Sequence, residues 1–220
     1  MSKISHHPSD EMLMGHIKGD MPETISIAIA AHTQLCNRCQ TKINQFTTMI
    51  AANCWQQPQS AQTADQDFDS MLDSILSEEP ELSFLTTPTP TTVKVNDDCY
   101  VLPTALCRYN QAKWQQLGDI SRARVLAEPG DIRASLLHIG AGGSIPNHTH
   151  KGFEITLLLA GSFEDEIGEY HAGDFIYLDS QHAHSPITKT GCLCYAVLNA
   201  PMHFTSGMSK MFNPIGHLLY

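Results

Sequence analysis

Apolar positions change rhythm once along this chain. From residue 9 to residue 55 they recur at the three- and four-residue spacing of amphipathic helices. Met12, Leu13 and Ile17 mark a first helix, which Ser9 can cap, Asp10 and Glu11 can open and Gly19 can end. Pro22 and Glu23 open a second, with Ile25, Ile29 and His32 on one face. Ile43, Phe46 and Ile50 predict a third. Residues 56–64 are polar and read as a tether. Phe68, Met71, Leu72, Ile75 and Leu76 then recur at i, i+3, i+4, i+7 and i+8 among Asp and Glu, which predicts a short acidic amphipathic helix. Such a stripe suits either packing on the chain's own helices or docking in a partner's groove.

From Glu79 to Thr92 the composition is Pro/Thr-rich, that of a linker. Beyond it the rhythm becomes that of strands. The runs at 133–140, 153–161, 174–179 and 192–198 are β-rich and bounded by Gly, Pro, Asn or Asp. Strand following strand, without interleaved helices, predicts an all-β sandwich or barrel. The expected fold is α + β in two domains: a small all-helical domain at 1–79, a linker at 80–92 and an all-β domain at 93–220.

Composition narrows the function classes. The formal net charge is −10, and residues 1–80 carry ten Asp/Glu against four Lys/Arg. This argues against direct nucleic-acid binding and favours a protein partner with basic surfaces. The start of the chain lacks the apolar core of a secretory signal, and no stretch approaches the roughly 20 apolar residues of a membrane span. The expected location is the cytoplasm, where the seven cysteines, odd in number and irregularly spaced, stay reduced and serve metal or redox chemistry.

Two sets of metal-ligand residues stand far apart. His32, Cys36 and Cys39 form H-x-x-x-C-x-x-C, in which a helical turn separates the imidazole from the first thiol. Thiolate-rich and needing one more ligand for a tetrahedral zinc, this set could be completed by His6, His7 or Cys54. Downstream, His148 and His150 lie two apart, hence on one face of a strand, with Glu154 at the same parity. His184 or its neighbour His182 must arrive from another strand. This imidazole and carboxylate set suits zinc or another divalent transition metal.

The downstream spacing resembles the cupin motifs. Gly142, five residues, His148-Thr-His150, three residues, Glu154, six residues and Gly161 match the first motif at each anchor. Gly173-Asp174 and His184 resemble the second, with Asp179 and Gln181 where Pro and Gly are usual. The offset from Gly173 favours His184. Cys192 and Cys194, two apart on one strand, are either core residues or oxidisable thiols.

In order and spacing the whole chain resembles the ChrR-type zinc-binding anti-sigma factors. The matching runs are H-H-P-S-D-E-M-L, A-A-H-T-Q-L-C-N-R-C, H-T-H-K-G-F-E and G-D-F-I-Y-L-D-S-Q-H-A-H. The resemblance implies a helical zinc domain with His7 as the fourth ligand beside His32, Cys36 and Cys39, followed by a cupin (jelly-roll) sensory domain. It implies sequestration of an extracytoplasmic-function-type sigma factor, and its release on oxidative signals such as singlet oxygen. The competing expectation is a metal-dependent cupin dioxygenase or isomerase. An enzyme would not need the thiolate domain and the acidic helix, so no catalytic residue is expected.

Overall fold

The computed structural model describes residues 3–56, 68–78, 90–129 and 131–205. Helix α1 (Asp10–Lys18) begins at Ser9, whose side chain accepts a hydrogen bond from the Met12 N–H. It ends at Gly19, which takes the left-handed φ of 74° that closes a helix at no steric cost to glycine. α2 (Glu23–Leu35) and α3 (Asn37–Gln56) follow, separated only by Cys36. α4 (Phe68–Ser77) stands where the acidic amphipathic pattern predicted it. The 56–64 tether and the Pro/Thr-rich linker fall almost wholly outside the described residues.

Eleven strands follow among the described residues. They are β1 (Thr92–Val95), β2 (Asp98–Val101), β3 (Gln115–Leu117), β4 (Ile120–Ala127), β5 (Arg133–Ile139), β6 (His148–His150), β7 (Glu154–Glu164), β8 (Glu169–His171), β9 (Phe175–Leu178), β10 (Cys192–Leu198) and β11 (Met202–Phe204). The main sheet runs β3-β4-β5-β10-β7-β8, with β9 also paired to β7. β6 pairs with β11 in a second, small antiparallel sheet. Bridges from Ser144 and Glu164 to Ile187 and from His148 to His184 tie the rolled sheet together. This is the cupin architecture.

The main sheet is covered on both faces. Ala134, Leu136, Ile155, Leu157, Tyr195 and Val197 point outward into one apolar core with Leu13, Ile25 and Ile29 of the helices. Leu158, Phe163, Ile176, Cys192 and Cys194 point inward to a second core. Every residue of β10 is buried for this reason, and its sequence shows no polar alternation. The helical segment is therefore not a detached unit: its second helix shares a core with the barrel wall.

α2 is also fastened to the barrel by polar contacts. The Glu23 and Thr24 N–H groups donate to the Glu128 carboxylate at 3.0 and 2.6 Å. Pro22 offers no side-chain cap, so a carboxylate from β4's end serves the helix N-terminus instead. The Tyr195 hydroxyl donates to the Thr24 carbonyl at 3.1 Å, and the Thr104 N–H donates to Gln34 Oε1 at 2.7 Å. These contacts fix the helix that carries the thiolate motif.

Candidate metal centres

The first cluster forms where α2 meets α3. His32 is on the last turn of α2, Cys36 is the residue between the helices, and Cys39 is in the first turn of α3. The chain arrives from the N-terminus with His7, whose Nδ1 lies 3.4 Å from Cys36 Sγ and 3.5 Å from Cys39 Sγ. One ligand atom from each of His7, His32, Cys36 and Cys39 falls within 4.8 Å of all the others. His6 points elsewhere, with its Nδ1 3.6 Å from Asp174, and Cys54 is exposed farther along α3.

The barrel orients this cluster. His32 Nδ1 is 2.8 Å from the Gly173 carbonyl, to which it donates, leaving Nε2 aimed at the thiols; that nitrogen is buried and has no hydrogen-bond partner. Gly173 takes a φ of 98°, which strains any other residue, and a side chain there would also have to push the Ile4 side chain aside. Asp174 accepts the backbone N–H groups of Ser5, His6 and His171 at 2.7, 2.9 and 2.9 Å. The Phe175 N–H donates to the His6 carbonyl at 3.0 Å. His7 thus reaches the cluster because the turn between β8 and β9 holds the segment before it.

Burial lowers the His32 pKa to about 4, and burial and the Arg38 charge lower that of His7. Both imidazoles are neutral, as ligands must be. Burial and the adjacent Cys36 push the Cys39 thiol up, so a divalent cation is what would make both sulfurs thiolates together. Soft sulfur with imidazole in a closed set of four is the donor chemistry of a structural tetrahedral site.

The second cluster lies inside the barrel. His148 and His150 face inward from β6, Glu154 opens β7, and His184 comes from the segment bridged to His148. Their ligand atoms also lie within 4.8 Å of one another. Glu154 Oε2 is 2.8 Å from His150 Nε2 and 3.3 Å from His184 Nε2. Neither approach is aligned as a hydrogen bond, so buried nitrogen and oxygen atoms converge on one point without satisfying each other. His148 Nδ1 donates to the Pro146 carbonyl at 2.9 Å and His184 Nδ1 to Asp165 Oδ2 at 3.0 Å, which turns both Nε2 atoms inward.

Burial pushes the Glu154 carboxyl up, but His150 and His184 hold it well below its usual value. Burial opposes protonation of His184 too, yet Asp165 and Glu154 raise its pKa to about 9. His148, buried beside them, drops to about 4. The cluster thus favours positive charge at its centre, which a divalent cation would supply. His182 lies outside, exposed, with Nδ1 2.8 Å from Asp179. That Asp179 accepts the Gln181 N–H at 2.9 Å, an Asx turn, so the departure from the usual Pro and Gly keeps a turn by other chemistry.

Sequence reading missed the supporting groups. Asp165, Asp174, Gly173 and Glu128 act across the chain, and only Gly173-Asp174 carried a signal, as part of a motif. Cys192 and Cys194 are both buried in β10, and Cys194 faces the cavity beside the second cluster.

Comparison with known proteins agrees with this architecture. Residues 103–201 match the family described as the ChrR Cupin-like domain. The anti-sigma-E factor ChrR of Cereibacter sphaeroides is 28% identical over 216 residues, which cover 96% of this chain and 97% of that one. The crystal structure of Rhodobacter sphaeroides SigE in complex with the anti-sigma ChrR superposes with a TM-score of 0.69 at 24% identity, covering 89% of this chain and 100% of that one. The chain is thus similar to ChrR along nearly its whole length, a helical segment joined to a barrel whose residues 103–201 match the ChrR cupin-like domain.

Proposed function

We propose that this chain is an anti-sigma factor, a regulatory protein of the cytoplasm and not an enzyme. It would sequester an extracytoplasmic-function sigma factor through its helical segment and release it when the cupin domain meets an oxidative signal. The observation that carries this reading is similarity to ChrR along nearly the whole length of both chains, across both ligand clusters. In this reading zinc is held by His7, His32, Cys36 and Cys39. Zinc or another divalent transition metal is held by His148, His150, Glu154 and His184. The first metal would staple α2, α3 and the N-terminal segment; the second would supply a Lewis-acidic centre open to small molecules.

The partner surface is α4. Met71, Leu72, Ile75 and Leu76 are 52–72% exposed, so among the described residues its apolar stripe is not packed on the other helices. An apolar stripe at i, i+1, i+4 and i+5, flanked by Asp, fits a groove with a basic rim. Two substitutions on that face, Leu72→Ser with Ile75→Ser, test the reading in the full chain. The expected result is loss of sigma-factor binding at least about tenfold, as for removal of anchor residues, with metal content and thermal midpoint unchanged. Undiminished binding by the double variant would place the interface elsewhere.

A further inference from the structure

One short stretch of sheet joins the two clusters. β7 begins at Glu154 of the barrel cluster. Four residues later the Leu158 N–H donates to the Asp174 carbonyl at 3.0 Å, and the Leu158 carbonyl accepts the Gly173 N–H at 2.7 Å. Gly173 and Asp174 are the residues that aim His32 and hold the segment before His7. Four strand steps span roughly 14 Å. β9 runs back along the same stretch, with Phe175 opposite Leu157 and Leu178 opposite Glu154. One end of this ladder carries a residue of the barrel cluster, and the other carries the supports of the thiolate cluster.

The end at the thiolate cluster is lightly held. Residues 3–9 form no helix or strand. They hang on the turn by the Ser5 and His6 N–H groups on Asp174 and by the Phe175 N–H on the His6 carbonyl. The Phe175 and His32 rings meet edge to face, with centroids 5.8 Å apart. Just past Leu158 the ladder has a bulge. Ala160 faces Leu193 and Leu158 faces Cys194, so Leu159 has no partner on β10. A bulge breaks the ladder locally, so the stretch before it can shift without carrying the whole strand. Opening of so lightly bonded a segment is a local event that costs far less than unfolding the barrel.

We propose that this ladder couples the clusters: taking Glu154 out of the barrel cluster loosens the Gly173–Phe175 turn, and the thiolate cluster then opens and gives up its metal more readily. Engaged as a ligand, Glu154 would tie the first residue of β7 to β6 and to the segment of His184. Any event that takes it out of the cluster removes that tie at one end of the ladder. The turn at the other end has two arrangements to choose between. In one the N-terminal segment is docked and His7 faces the thiols; in the other the segment is released and the cluster is one ligand short. The barrel cluster biases that choice. This coupling presupposes the proposed reading, in which the barrel senses and the helical segment binds the partner, and it supplies the step that joins them.

The test compares full-length wild type with Glu154→Ala, both loaded with cobalt. Loss of the cobalt–thiolate absorption on adding a chelator reads the first cluster alone, since the second has no sulfur ligand. Release should be about tenfold faster in Glu154→Ala, within the usual range for coupled sites. Amide hydrogen exchange at Ser5, His6 and Phe175 should quicken by a similar factor. The Glu23 and Thr24 amides, bonded to Glu128 at the other end of α2, should exchange at the wild-type rate. Phe175→Leu should speed release in both backgrounds and shrink the gap between them to within about twofold. Unchanged release and exchange in a folded Glu154→Ala chain would overturn the proposal. So would equal acceleration at Glu23 and Thr24, which would make the effect global. Either result leaves sigma-factor binding by the wild type, and the reading it tests, untouched.

Discussion

The two ligand clusters share a count of four residues and differ in almost everything that holds them. The first draws on the N-terminal segment, the end of α2 and the start of α3, and it depends on a barrel turn to aim His32 and to hold the residues before His7. The second is drawn wholly from the barrel, on or beside strands bonded to their neighbours, and opens on an apolar cavity. A site assembled from separate elements makes metal binding and folding one event. A site on a rigid barrel is preformed, and a metal held there would be placed to meet a ligand. The contrast fits the proposed reading of a structural first site and a sensory second one, and it gives the barrel's β8–β9 turn a direct hold on the first cluster.

The largest effects should come from the ligands themselves. Cys36→Ala or Cys39→Ala should remove the first metal, leave about one metal per chain, and abolish sigma-factor binding; elemental analysis and size-exclusion chromatography with the sigma factor check it. Glu154→Ala should do the opposite, removing the second metal while leaving the first metal and sigma-factor binding in place. Next in size is Asp174→Ala. It strips three backbone N–H groups of their acceptor and should destabilise the chain by about 2–3 kcal/mol. It should also weaken the first metal site by about 10- to 100-fold, read by competition with a chromophoric chelator, while the barrel site keeps its affinity.

The smallest is at the far end of α2. Glu128→Gln removes a charged helix cap and should cost about 1 kcal/mol in chemical denaturation. Burial pushes the Glu128 carboxyl up, but the hydrogen bonds from Thr24 and Glu23 lower its pKa overall. A depressed folded pKa means this contribution is present above the usual glutamate value near 4.3 and disappears as the pH falls through the folded one. The gap between wild type and Glu128→Gln should therefore be constant at neutral pH and close in acid; a gap that persists there would remove the cap from the account.

Much of this was legible in the chain because it is local. Ser9 and Gly19 bound α1 through single-residue rules, the HxxxCxxC run sits at a helix junction, and His148, His150 and Glu154 face one way through strand parity. The strand runs at 133–140 and 192–198 coincide closely with β5 and β10. What was not legible acts over long sequence separations. Nothing periodic links His32 to Gly173 or Ser5 to Asp174, yet these contacts aim the first cluster. The amphipathic stripe of α4 reads equally as core or interface, and only its exposure separates the two.

The central claim is the division of labour between the clusters. Metal content and sigma-factor binding, measured together on wild type, Cys36→Ala and Glu154→Ala, test it most directly. The account predicts two metals with binding for the wild type, one metal without binding for Cys36→Ala, and one metal with binding for Glu154→Ala, at about one metal per site. Retention of sigma-factor binding by a Cys36→Ala chain that has lost its first metal would contradict it.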